Sequence, residues 1–93
     1  MLIIEEKDLI KVIGTDPDPK KVVFIKPSKV VYIRLREASN EGRAVRCRSK
    51  LTIKVKNKYG IDKEIYIYSF YPKRLLKIVS SVLKYRDDIL LPQ

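Results

Sequence analysis

The chain contains no histidine and no tryptophan, a single cysteine and only three glycines. Each scarcity removes a class of chemistry. Without histidine, the commonest general base and the commonest metal ligand are both missing. Cys47 has no partner for a disulfide within the chain. Its place in an apolar row marks it as a small buried hydrophobe, not a nucleophile, which needs a base beside it. A lone thiol of this kind fits a reducing, cytoplasmic setting. The isolated glycines form no phosphate-cradling loop. The acid pairs Asp16/Asp18 and Asp87/Asp88 lie in loops without further ligands, and read as turn chemistry and not as metal sites. No apolar run approaches the roughly 20 residues that a membrane span needs. Met1-Leu2-Ile3-Ile4 is followed at once by Glu5-Glu6-Lys7-Asp8, so it has neither the basic start nor the length of a signal peptide. The expectation is a protein that is not an enzyme and uses no cofactor and no metal.

What is abundant is positive charge. The net charge is +10 over 93 residues, a length that suits one domain with a modest core. Residues 1–19 hold two Lys against five acids, whereas residues 20–58 hold thirteen Lys or Arg against two acids, Glu37 and Glu41. A field so placed points to an anionic partner: nucleic acid, an acidic protein segment or a membrane surface. A merely solvated surface is the bland alternative.

The chain is organised around Arg43 to Phe70. From Val45 to Lys56 it alternates without a break. Val45, Cys47, Ser49, Leu51, Ile53 and Val55 fall on one side; Arg46, Arg48, Lys50, Thr52, Lys54 and Lys56 fall on the other. Successive strand side chains point to opposite faces, so this is one long strand with an apolar and a cationic face. Asn57-Lys58-Tyr59-Gly60 reverses the chain, with Asn opening a type I turn and Gly in the left-handed position. The turn sets a register that pairs Ile53 with Ile65, Leu51 with Ile67, Ser49 with Ser69, Lys56 with Asp62, Lys54 with Glu64, Lys50 with Tyr68 and Arg48 with Phe70.

Before this hairpin, Leu2–Ile4 and Leu9–Ile13 read as two short strands or one kinked strand, with a short helix over Glu5–Val12 as the competing reading. Gly14 to Pro19 is a loop. Lys20–Ile25 and Val30–Glu37 read as a second hairpin closed at Lys26-Pro27-Ser28-Lys29, with Phe24 facing Val31, Val22 facing Ile33 and Val23 meeting Tyr32. It is apolar on both faces near its turn, which suggests a central place or a covering partner. After the main hairpin, Pro72 opens a helix to about Tyr85 or Arg86, with Leu75, Leu76, Val79, Val82 and Leu83 on its apolar stripe. Ile89-Leu90-Leu91-Pro92-Gln93 is an apolar tail. The layout is mainly β (α+β): a bent antiparallel sheet or partly open barrel of four to seven strands, closed by one C-terminal amphipathic helix.

The long hairpin, the aromatic-rich strand Ile65-Tyr66-Ile67-Tyr68-Ser69-Phe70 and the helix opening at Pro72 resemble a pleckstrin-homology-like domain over the last two-thirds of the chain. That resemblance implies a bent sheet plugged by the helix. Length, basic charge and the missing catalytic residues are similar to the small basic accessory subunits of crenarchaeal B-family replicative DNA polymerases. That likeness implies binding to a catalytic subunit and support of synthesis on DNA. Abundant Lys, Ile and Val also resemble proteins of heat-loving microbes.

Cations interleaved with aromatics can grip a phosphate backbone and stack bases. The candidate nucleic-acid contacts are Arg46, Arg48, Lys50, Tyr68, Phe70, Arg34 and Arg36; cross-strand ion pairs that merely stabilise the sheet are the competing reading. Candidate partner contacts are Val23, Tyr32 and the tail residues Ile89, Leu90 and Leu91. The reading is an accessory module that binds a larger protein, which the likeness implies to be a DNA polymerase, and favours nearby DNA without sequence specificity. A free-standing nucleic-acid or chromatin binder and an adaptor at an anionic membrane surface are the alternatives.

Overall fold

The computed structural model describes residues 1–16, 18–37 and 49–86. The first two strands, β1 (Leu2–Glu6) and β2 (Leu9–Ile13), form a tight hairpin in which Leu2 faces Ile13 and Glu6 faces Leu9. The two residues between them turn the chain, and Asp8 takes the left-handed conformation, φ 52. That geometry favours short polar side chains and rules out the competing helix. Strand β3 (Val22–Ile25) adds to the other side of β2. Gly14 (φ 74) stands in the connecting loop, where a side chain would meet the Pro19 carbonyl at 3.1 Å.

The expected hairpin between residues 20–25 and 30–37 does not form. Strand β4 (Val30–Glu37) pairs with β5 (Ser49–Lys56), not with β3. The reason lies in Pro27–Lys29, which winds a short 3-10 turn with Lys29 N donating to Lys26 O at 2.9 Å. Pro27 is buried, and the turn carries the chain from one sheet to the other instead of reversing it within one. The Asp8 carboxylate holds the corner by accepting from Ser28 N (2.9 Å) and Ser28 Oγ (2.6 Å). Arg86 Nη1 donates to Pro27 O and Ser28 O from the far end of the chain.

Strand β6 (Asp62–Ser69) completes the second sheet, so two three-stranded antiparallel sheets, β1-β2-β3 and β4-β5-β6, face each other without closing into a barrel. The β5–β6 register is the one the turn dictates, from Lys56–Asp62 through Ile53–Ile65 to Ser49–Ser69. Asn57 Oδ1 accepts from Tyr59 N and Ile61 N, and Gly60 sits at φ 78. A bulge between Val30 and Tyr32 resets the alternation of β4. Val30, Ile33 and Leu35 therefore point inward, while Tyr32, Arg34 and Arg36 point outward.

Helix α1 (Pro72–Leu83) lays Leu75, Ile78, Val79 and Val82 against the inner faces of β5 and β6. Ile78 belongs to this stripe, and Leu76, expected there, is exposed. Together with Ile10, Val12, Ile25, Leu51, Ile53 and Ile67 these side chains make one continuous core. Glu5 of β1 ties the helix to the first sheet by accepting from Ser81 Oγ and Lys84 Nζ. Asp16 does the same for the helix entry. Its carboxylate accepts from Ser69 Oγ (2.5 Å), Phe70 N (2.9 Å) and Arg74 Nη1 (2.5 Å). Asp16 is thus a structural clasp, not the solvated loop acid that its sequence context suggests. No helix among the described residues is long and apolar enough to cross a membrane.

Candidate nucleic-acid interface

The outward side chains of β4, β5 and β6 form a three-by-three grid fixed by register. Its rows are Tyr32–Lys54–Glu64, Arg34–Thr52–Tyr66 and Arg36–Lys50–Tyr68. Neighbours on one strand face lie roughly 6.6 Å apart, and neighbours across strands about 5 Å apart. Within this grid four cations and three tyrosines surround a single carboxylate, and Lys56 and Asp62 continue the same face towards the turn. The helix lies on the opposite face, so these tyrosines are not buried beneath it.

The rings and cations are already in contact. The Arg34 guanidinium and the Lys54 ammonium lie 5.5 and 5.6 Å from the Tyr32 ring centre. Lys50 Nζ lies 5.1 Å from the Tyr66 ring centre. Contacts of this kind contribute about 0.5–1 kcal/mol at exposed sites. The tyrosines therefore hold the cations in place, and the outer surface offers charge to phosphates more than bare rings to bases. Tyr68 is half-buried and Phe70 exposed; neither has a cation over its ring among the described residues.

Glu64 is the organising acid of the face. Its carboxylate accepts from Tyr32 Oη at 3.2 Å and from Tyr66 Oη. The Tyr66 hydrogen bond, helped by that of Tyr32 and the charges of Lys54 and Arg34, holds the Glu64 carboxyl below its ordinary range against the opposing effect of desolvation. The same bond raises the Tyr66 phenol. Lys54 and Glu64 are opposite one another as expected, but the ion pair runs diagonally, from Lys54 Nζ to Asp62 Oδ2 at 3.4 Å. The reason is that the tyrosine hydroxyls occupy Glu64. In the middle row, on β4, Arg34 Nε is buried with no hydrogen-bond partner among the described residues. A buried donor left in that state costs about 1–3 kcal/mol.

Of the candidate contacts, Arg34, Arg36, Lys50 and Tyr68 are brought together, and Phe70 lies just past the end of β6. Arg46 and Arg48, with Cys47, lie outside the described residues, as do Ile89, Leu90 and Leu91. Tyr32 belongs to the cationic grid. Val23 is a correction: it is only 6% exposed and points into the core, so it offers nothing to a partner.

Its neighbours reveal a second face. The outward side of β1-β2-β3 carries Leu2, Ile13 and Val22 in one row and Ile4, Lys11 and Phe24 in the next. Leu2, Val22 and Phe24 are 57, 45 and 57% exposed, and Lys11 Nζ lies 5.6 Å from the Phe24 ring centre. This apolar face was readable in the sequence: Leu2-Ile3-Ile4 and Val22-Val23-Phe24-Ile25 are apolar at both parities, which a strand covered on one side only does not require.

No family model matches the chain, and neither does any curated protein or solved structure.

Proposed function

We infer that this chain is a small non-catalytic accessory module of a cytoplasmic DNA-handling complex. Its apolar sheet face docks a larger protein, and its cationic sheet face holds the phosphate backbone that the complex works on. The observation that carries this reading is the opposite character of the two outer faces. One bears Arg34, Arg36, Lys50 and Lys54; the other bears Leu2, Ile4, Ile13, Val22 and Phe24. A large exposed apolar face marks a binding surface, and clustered cations supply sequence-independent attraction to phosphates. A replicative polymerase is the partner implied by the resemblance to crenarchaeal accessory subunits.

The test separates the faces. Purification from the native host through nuclease and a high-salt wash should retain one larger protein at fixed stoichiometry. The double variant Val22→Glu/Phe24→Glu should lose that protein and keep DNA binding at low salt; Arg34→Gln/Arg36→Gln should do the reverse. If DNA is bound but no protein survives the wash, the chain is a free-standing nucleic-acid binder. If neither is bound, the reading fails.

A further inference from the structure

A slot separates the two sheets on one side, lined by Lys21, Val22, Val23 and Phe24 from one sheet and Lys63 to Tyr66 from the other, with a volume of about 520 Å³. Its walls are β3 and β6, the last strand of each sheet, and these two strands do not pair.

The ladder bonds fix which backbone groups face the slot. Asn57 N donates to Ile61 O at 3.0 Å, in the register of β5 and β6. Bonded and non-bonded pairs alternate along an antiparallel ladder. Thr52–Tyr66 and Lys54–Glu64 are consequently non-bonded pairs, and the N–H and C=O of Glu64 and Tyr66 point away from β5 into the slot. An independent contact agrees: Lys21 Nζ donates to Tyr66 O at 3.3 Å. On the opposite wall, Gly14 N donates to Lys21 O at 2.7 Å in the register of β2 and β3. By the same alternation, Val22 and Phe24 turn their N–H and C=O away from β2 into the slot. Both walls therefore present peptide donors and acceptors at the two-residue repeat of a strand.

Exposed strand edges of this kind are templates for another strand. The charge selects its type. Lys21 and Lys63 line the slot, and its one carboxylate, Glu64, already accepts from two tyrosine hydroxyls. The exposed Val22 and Phe24 side chains stand where alternate residues of an added strand pack.

We propose that the slot between β3 and β6 is a strand-addition site for an extended acidic segment of a partner protein. The segment pairs with the free edge of Val22–Phe24 and displaces the Lys21 amine from Tyr66 O. This deepens the docking half of the function proposed above and is independent of its nucleic-acid half.

The test uses a synthetic 12-residue peptide of alternating valine and glutamate. Its controls carry lysine for glutamate, or two prolines at the centre. Binding of the acidic peptide should slow hydrogen exchange at the Val22, Phe24, Glu64 and Tyr66 amides, and each control should bind roughly tenfold more weakly or worse. Phe24→Pro removes a slot-facing N–H and no ladder bond, so it should weaken the acidic peptide by a similar factor. Lys21→Glu, on an exposed side chain, carries the test if the proline variant fails to fold. Equal binding of the proline control, protection at Arg34 and Arg36 instead, or displacement of the peptide by oligo(dT) each overturns the proposal. If the peptide fails while Val22→Glu/Phe24→Glu still loses the native partner, face docking stands and strand addition falls.

Discussion

Replacing Arg34 with methionine should leave the fold as stable or more stable while weakening nucleic-acid binding. The magnitudes follow from the surroundings of the side chain. Its Nε is buried without a hydrogen-bond partner among the described residues, and removing such a donor returns about 1–3 kcal/mol. Against that stands the loss of the contact between its guanidinium and Tyr32, 5.5 Å from the ring centre, of about 0.5–1 kcal/mol. Methionine keeps most of the apolar stem over the same ring. Urea unfolding should therefore show a stability change between about zero and a gain of about 2.5 kcal/mol. Binding should move the other way. On single-stranded DNA each phosphate contact contributes about −0.7 to the slope of log K against log salt, so the loss of one contact weakens binding roughly eightfold at about 50 mM salt. Fluorescence anisotropy of labelled oligo(dT) over a salt series reads both affinity and slope. A variant that loses about 2 kcal/mol or more of stability and binds oligo(dT) as before would refute the argument, because Arg34 would then be a structural residue only.

Four further outcomes are expected. Glu64→Gln removes the one acid of the grid and should strengthen oligo(dT) binding by about threefold at low salt, measured in the same anisotropy assay. Asp16→Ala leaves Ser69 Oγ, Phe70 N and Arg74 without their shared acceptor and should cost about 2–4 kcal/mol in urea unfolding. Burial opposes ionisation of Asp16, but the hydrogen bonds from Ser69 and Phe70 and the charge of Arg74 outweigh it and lower its carboxyl. Its stabilisation is therefore complete above the unfolded value of about 3.9 and lost as pH falls through the lower folded value, so Asp16→Asn should flatten the acid limb of stability below about pH 4. Ile67→Ala, at a fully buried position on β6 opposite Leu51, should cost about 2–5 kcal/mol by leaving a cavity.

The parts of the fold legible in the sequence are those where one local signal decides the outcome. Asn57 and Gly60 fix a turn, the turn fixes the register, and strict alternation assigns Leu51, Ile53 and Ile67 inward and Lys50 and Tyr68 outward. Pro72 fixes the start of the helix. What could not be read depends on choices between near-equal alternatives. Pro27 suits both a tight hairpin and a 3-10 corner, and the distant contacts from Asp8 and Arg86 hold the corner. The bulge before Tyr32 is invisible to a rule of strict alternation, yet it puts Tyr32 on the cationic face. The clasp at Asp16 joins residues more than fifty positions apart, so no local pattern announces it. The cationic strand was visible as charge. Its partition was not: Glu64 binds tyrosines, and Asp62 takes Lys54.

A division of labour between the two outer sheet faces can be read by residue-resolved NMR during an oligo(dT) titration at low salt. Shifts should be confined to the grid of Arg34, Arg36, Lys50, Lys54 and Tyr68 and fade as salt rises, with Leu2, Ile13, Val22 and Phe24 unmoved. Shifts centred on those four apolar residues, or a saturating response indifferent to salt, would contradict it.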